Sequence, residues 1–128
     1  MIINNNVKTF LAIATLFMVT AIALGAFGAH GLKKILEPEM LKIFHTGVEY
    51  QFYNTFGLFF ATFIYMLKQE SKRIKISLYL IVVGTLIFSI SLYMLTILNM
   101  PILGAITPIG GTLQIIAYLL LFFGILKG

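Results

Sequence analysis

The chain has 128 residues, enough for one domain, with 60% hydrophobic residues, only 10% charged residues and a mean hydropathy of +1.03. Soluble domains run at about 25% charged residues, so a water-facing surface is excluded over most of this molecule and lipid takes its place. The net charge of +5 sits at the ends of apolar runs, which points to membrane topology rather than nucleic acid, and the absence of cysteine excludes disulfides, thiolate metal sites and cysteine nucleophiles.

Residues Met1 to Val7 are polar and read as a frayed end. Lys8 then precedes an apolar run from Phe10 to Phe27. That run is long enough for a membrane helix and long for a signal peptide, the rival reading. Ala14, Ala21, Gly25 and Gly28 share one side of it, and Ala21, Gly25 and Ala29 are spaced four apart, a pattern that lets helices approach closely. His30 to Thr46 is a polar connection divided by Pro38, with alternating lysines and glutamates. It reads as an amphipathic segment lying in the membrane interface.

The stretch from Gly47 to Tyr65 sorts into two helical faces. Gly47, Tyr50, Gln51, Asn54, Gly57, Ala61 and Tyr65 form a small and polar stripe, opposite Phe52, Phe56, Phe59, Phe60 and Phe63. A basic turn, Lys68 to Lys75, leads into a third apolar run in which Ser77, Gly84 and Ser91 recur at seven-residue spacing. Thr85, Ser89 and Thr96 form a second polar line, whose hydroxyls can bond carbonyls one turn back. Asn99 to Pro108 is uncharged and broken by two prolines, and is expected either to dip into the membrane interface or to pack on the bundle end. Pro108 suits the start of a last helix, on which Thr107, Gly110, Gln114, Ala117, Tyr118 and Gly124 share a face.

The pattern predicts an all-α membrane protein: four transmembrane helices in a bundle, about 9–28, 46–67, 76–98 and 108–126, with the interfacial segment between the first two, and residues 1–128 forming one integral membrane domain. Packing is expected at Ala21, Gly25, Gly28, Gly47, Ser77, Gly84, Ser91, Gly110 and Gly111. Lys8, Lys68, Lys72, Arg73, Lys75 and Lys127 outnumber Lys33, Lys34 and Lys42, which predicts both termini in the cytoplasm and the His30–Thr46 segment outside.

Candidates for chemistry form a polar cluster toward the outer end: His30, His45, Glu49, Tyr50, Gln51, Asn54 and Gln114. The two histidines could act as ligands, proton carriers or hydrogen-bonding anchors; they lack further ligands of suitable spacing, so no metal is expected and a structural or interfacial role is. Glu49 falls in the first turn of its span, off the polar stripe, where it reaches water, pairs with a loop lysine or acts on the helix N-terminus; the alternative is a proton or substrate role. Gln51, Asn54 and Gln114 carry amides that lipid cannot satisfy, so they either bond between helices or surround a polar cavity with Tyr50, Tyr53, Tyr93 and Tyr118. No paired carboxylates, phosphate loop or Ser-His-Asp order is present, which argues against an enzyme and against a cofactor.

Four stretches then stand out together: Gly25-Ala26-Phe27-Gly28-Ala29-His30-Gly31-Leu32, Thr46-Gly47-Val48-Glu49-Tyr50-Gln51-Phe52-Tyr53, Phe88-Ser89-Ile90-Ser91-Leu92-Tyr93 and Thr107-Pro108-Ile109-Gly110-Gly111. In order and spacing they resemble the YgdD/YwdK-like family of small bacterial inner-membrane proteins, which carries a domain-of-unknown-function label. The resemblance implies four spans and a plasma-membrane location. Family members often have histidine at the position of Asn54, where the amide here keeps hydrogen bonding but cannot titrate. The expected role is a non-enzymatic accessory or interaction protein whose partners are the lipid bilayer and either a second copy or other membrane proteins. The alternative is a small transporter or channel subunit with a polar site near the outer end of the bundle.

Overall fold

Helix starts and stops follow local chemistry. The computed structural model describes residues 3–127, and of Ala29 the backbone only; Met1 and the Ala29 side chain of the four-residue spacing lie outside the described residues. Helix α1, Asn5–Ala23, begins where the Asn4 side chain accepts the Val7 N–H at 2.8 Å, so the polar N-terminus read as frayed is helical from Asn5 onward. A π-helical turn, Leu24–Gly28, joins it to the short helix α2, Ala29–Leu32. Pro38 occupies the first position of α3, Pro38–Leu67, where its missing N–H costs nothing. Ser71 caps α4, Lys72–Ile97. Helix α4 ends on Asn99 in the left-handed region, φ 52°, with the Met100 N–H donating to Leu95 O at 2.9 Å in a Schellman arrangement. A 3₁₀ turn, Pro101–Ala105, then leads into α5, Thr107–Lys127.

The number of spans and the first connection differ from the sequence reading. Three helical stretches among the described residues are long and apolar enough to cross a membrane: Asn5–Leu32, Lys72–Ile97 and Pro101–Lys127. Helix α3, which contains the expected span 46–67, is not among them, so the four-transmembrane-helix arrangement is corrected to four long helices with three such stretches. Length is not the reason, since α3 has 30 residues. Within 46–67, Glu49, the amides of Gln51 and Asn54, and the tyrosines and threonines break up its apolar character. The expected interfacial segment is also absent as a separate unit. Its beginning completes the end of the first helical stretch and, from Pro38 on, it forms the first turns of α3.

Helices α3 and α4 make the central pair, with α1 packed mainly on α3 and α5 mainly on α4. Successive long helices run antiparallel. Asn4 bonds Gln69 at one end of α1, while Gly25 meets Val48 at the other. Gly47 lies against Leu92 and Tyr93, and Gly124 against Ile74. One core joins all four: Phe10 and Phe17 from α1, Leu58 and Tyr65 from α3, Leu78 and Ile81 from α4, Ala117 and Leu121 from α5. The Phe10 ring meets Tyr79 edge to face at 5.1 Å, linking α1 to α4. The outer surface carries the apolar side chains that lipid accepts, including Phe56, Phe60 and Phe63.

Small residues set the helix separations. A Cβ on Gly110 would stand 2.5 Å from Phe88 N, and one on Gly84 would stand 3.0 Å from Gly110 O. The backbones of α4 and α5 therefore touch there, which only hydrogen at Cα permits. Ser77, Ala21 and Ser91 are buried within the chain, and Ser91 shares a hydrogen bond with Thr107 at 2.7 Å. Gly25 and Gly28 bring the end of the first helical stretch against Val48 and Phe44.

Candidate functional site: an aromatic groove between the third and fifth helices

Because α5 leans on α4, it stands off from α3 and leaves a groove of about 600 Å³. Tyr50, Tyr53, Asn54 and Gly57 of α3 form one wall, Gly111, Gln114, Ile115 and Tyr118 of α5 the other, and Phe88 of α4 the floor. The Tyr50 ring lies 4.8 Å from Phe88 and 5.4 Å from Tyr53. Tyr53 and Ile115, 59% and 65% exposed, flank the opening. None of the lining residues is charged.

Polar groups inside the groove are unequally satisfied. Asn54, 4% exposed, donates through Nδ2 to Tyr50 O at 2.8 Å and accepts the Tyr118 hydroxyl through Oδ1 at 2.9 Å. Gly57 makes this bond possible, since a Cβ there would fall on the Tyr118 hydroxyl. Gln114 is 6% exposed, and its Nε2 is the one fully buried side-chain nitrogen or oxygen among the described residues with no hydrogen-bond partner. Burial without a partner is costly for an amide, and more so where lipid replaces water.

The remaining sequence candidates lie elsewhere. Gln51 sits behind the groove wall and ties three helices together. Its Nε2 donates to Phe17 O at 2.8 Å and Thr20 Oγ1 at 2.7 Å, and its Oε1 accepts the Tyr93 hydroxyl at 2.6 Å. Ser89 adds a bond to Gly47 O at 2.8 Å. A second groove of about 300 Å³ passes this network between α1 and α4. His45 and Glu49 are exposed beside Lys42 on the outer side of α3, and His30 is exposed at the end of the first helical stretch. The fold thus unites Tyr50, Asn54 and Gln114 and leaves His30, His45, Glu49 and Gln51 apart from them. Among the described residues no group of three or more histidines and carboxylates could hold a metal ion. Phe88, Gly57 and Ile115 are not among the site candidates the sequence offers, and Gly111 is there only as a packing position. Gly57 at least shares the polar stripe of α3, whereas Phe88 is reached only through the α4–α5 crossing.

Residues 24–111 match the family described as "Protein of unknown function (DUF423)". The chain is 36% identical over 120 residues to the UPF0382 membrane protein YwdK of Bacillus subtilis, covering 94% of this chain and 98% of that one. It is 39% identical over 124 residues to a UPF0382 membrane protein of Haemophilus influenzae, covering 97% and 96%. A UPF0382 membrane protein of Staphylococcus epidermidis is 38% identical over 120 residues, covering 94% and 97%. The chain belongs to the UPF0382 (DUF423) family. No solved structure matches it. This UPF0382 protein is accordingly an integral, multi-pass membrane protein of a family whose function is unknown. The matched stretch runs from the π-helical turn to Gly111 and takes in most of the groove.

Proposed function

We propose that this protein is a non-enzymatic accessory protein of the plasma membrane that binds other components of the bilayer through the α3–α5 groove. One contrast carries the reading. Gln51 and Asn54, which a path through the bundle would need free, are engaged in bonds to neighbouring helices and backbone. The groove, by comparison, opens beside exposed Tyr53 and Ile115 on the side of the molecule. A groove facing sideways suits capture from the membrane plane better than conduction across it.

The proposed orientation puts both termini in the cytoplasm. The Asn4–Gln69 bond and the bonds from Lys68 to Gly124 and Ile125 support it, since they gather the chain ends around the basic 68–75 turn. Six of the nine basic residues, Lys8, Lys68, Lys72, Arg73, Lys75 and Lys127, then lie on the cytoplasmic side.

Photo-crosslinking amino acids at Tyr53 or Ile115, compared with Phe60 on the phenylalanine face, test the groove in native membranes. Discrete adducts from the groove positions are the expected result. Equal labelling from all three positions would remove the reading.

A further inference from the structure

We propose that the α3–α5 groove holds the ring of a neutral, lipid-soluble carbonyl compound of the quinone class, whose oxygen accepts the Gln114 Nε2 hydrogen. This inference rests on the reading of the groove as the binding surface and adds what that surface selects.

The first support is the unmatched donor. Gln114 Nε2 is fully buried and lacks a partner, while the nearby Asn54 and Tyr118 groups are bonded to each other. Gln114 lines the groove, so a turn of its amide about the last side-chain torsion presents this donor to a ligand oxygen. The second is the wall chemistry. Tyr50, Tyr53, Phe88 and Tyr118 offer ring faces and edges, which suit a planar unsaturated ring. The third is charge. With no charged lining residue, the groove discriminates against anions and cations and favours a neutral molecule. The volume of about 600 Å³ suits a ring headgroup and lies within the usual range for small-molecule sites.

Depth narrows the choice of acceptor. Gln114 lies seven residues beyond Thr107, the start of α5, or about 10 Å along the axis. Phospholipid ester carbonyls stay near the headgroup region, above that level. A quinone brings its carbonyl into the hydrocarbon on an apolar ring, and the opening at Tyr53 and Ile115 admits it from the side.

The test uses the full chain in lipid nanodiscs, with 2-methyl-1,4-naphthoquinone as probe and 2-methylnaphthalene as the analogue without oxygens. The protein has six tyrosines and no tryptophan, and three of the six line the groove, so quenching of tyrosine fluorescence reports binding there. Saturable quenching by the quinone is expected, about tenfold weaker in Gln114→Leu, with the hydrocarbon binding both proteins alike. Quinone binding that is unchanged in Gln114→Leu overturns the proposal. So does wild-type protein that binds the quinone no tighter than the hydrocarbon, a comparison that stands even where the variant does not fold. Groove-specific crosslinking without quinone binding overturns the ligand assignment and leaves the groove reading standing. Indiscriminate crosslinking overturns both.

Discussion

At the scale of single residues, lipid makes each buried polar group a decision. Gln51 uses both ends of its amide, on Phe17, Thr20 and Tyr93, and so joins α1, α3 and α4. Tyr93→Phe would leave Gln51 Oε1 without that donor. We expect a loss of about 1 kcal/mol, within the range for interhelical bonds in membranes, read as a lower midpoint in thermal unfolding in nanodiscs. The double variant with Gln51→Leu should recover part of the loss, because both partners are then apolar. Asn99 is a backbone decision. Its φ of 52° suits asparagine or glycine and penalises a β-branched side chain. Asn99→Val should cost about 1–2 kcal/mol and Asn99→Gly little, by the same measurement. The role of Gln51 is partly legible in the sequence, since an amide in an apolar run needs a partner, whereas nothing in the sequence reading singles out Asn99. Which of two possible partners Gln51 takes is not legible there, because that depends on how α1 and α4 approach α3.

Between elements, contact distance sets the outcome. Gly110 and Gly111 are adjacent, yet a Cβ on Gly110 would lie 2.5 Å from the Phe88 backbone and one on Gly111 at an ordinary 3.7 Å from the Phe88 ring. Gly110→Ala should force α4 and α5 apart and destabilise by about 1–3 kcal/mol or more, whereas Gly111→Ala should be close to neutral. Thermal unfolding of the two variants side by side checks this. The termini of elements are coupled as well. Lys68 Nζ donates to Gly124 O at 2.9 Å and Ile125 O at 3.1 Å, which caps the C-terminal carbonyls of α5. Lys68→Met should speed hydrogen exchange in the last turn of α5, and unchanged exchange would remove the capping role. On α3 the helical period alone separates Phe56, Phe60 and Phe63, which are exposed, from Gln51, Asn54 and Ala61, which are buried. The same pattern could not show that the residues from Pro38 onward continue into this helix, since a proline reads as a break from either side.

For the molecule as a whole, the gathering of basic residues and chain ends has a direct consequence. A reporter inserted in the 68–75 turn should lie on the cytoplasmic side, and an external reporter would overturn the orientation. Composition by itself determined that lipid surrounds most of this protein, because so few charges cannot cover a water-facing surface. Helical period determined which side chains face outward, and the four quoted stretches determined the family. The tertiary structure decided the rest. It assigned α3 to the centre of the bundle, where Gln51, Asn54 and two threonines, Thr55 and Thr62, are buried. It also divided the polar residues into a bonded network around Gln51 and a groove around Gln114. Periodicity places amides on a face but does not place one helix against another. The close approach at Gly84 and Gly110 draws α5 toward α4, and the space this opens beside α3 is the groove.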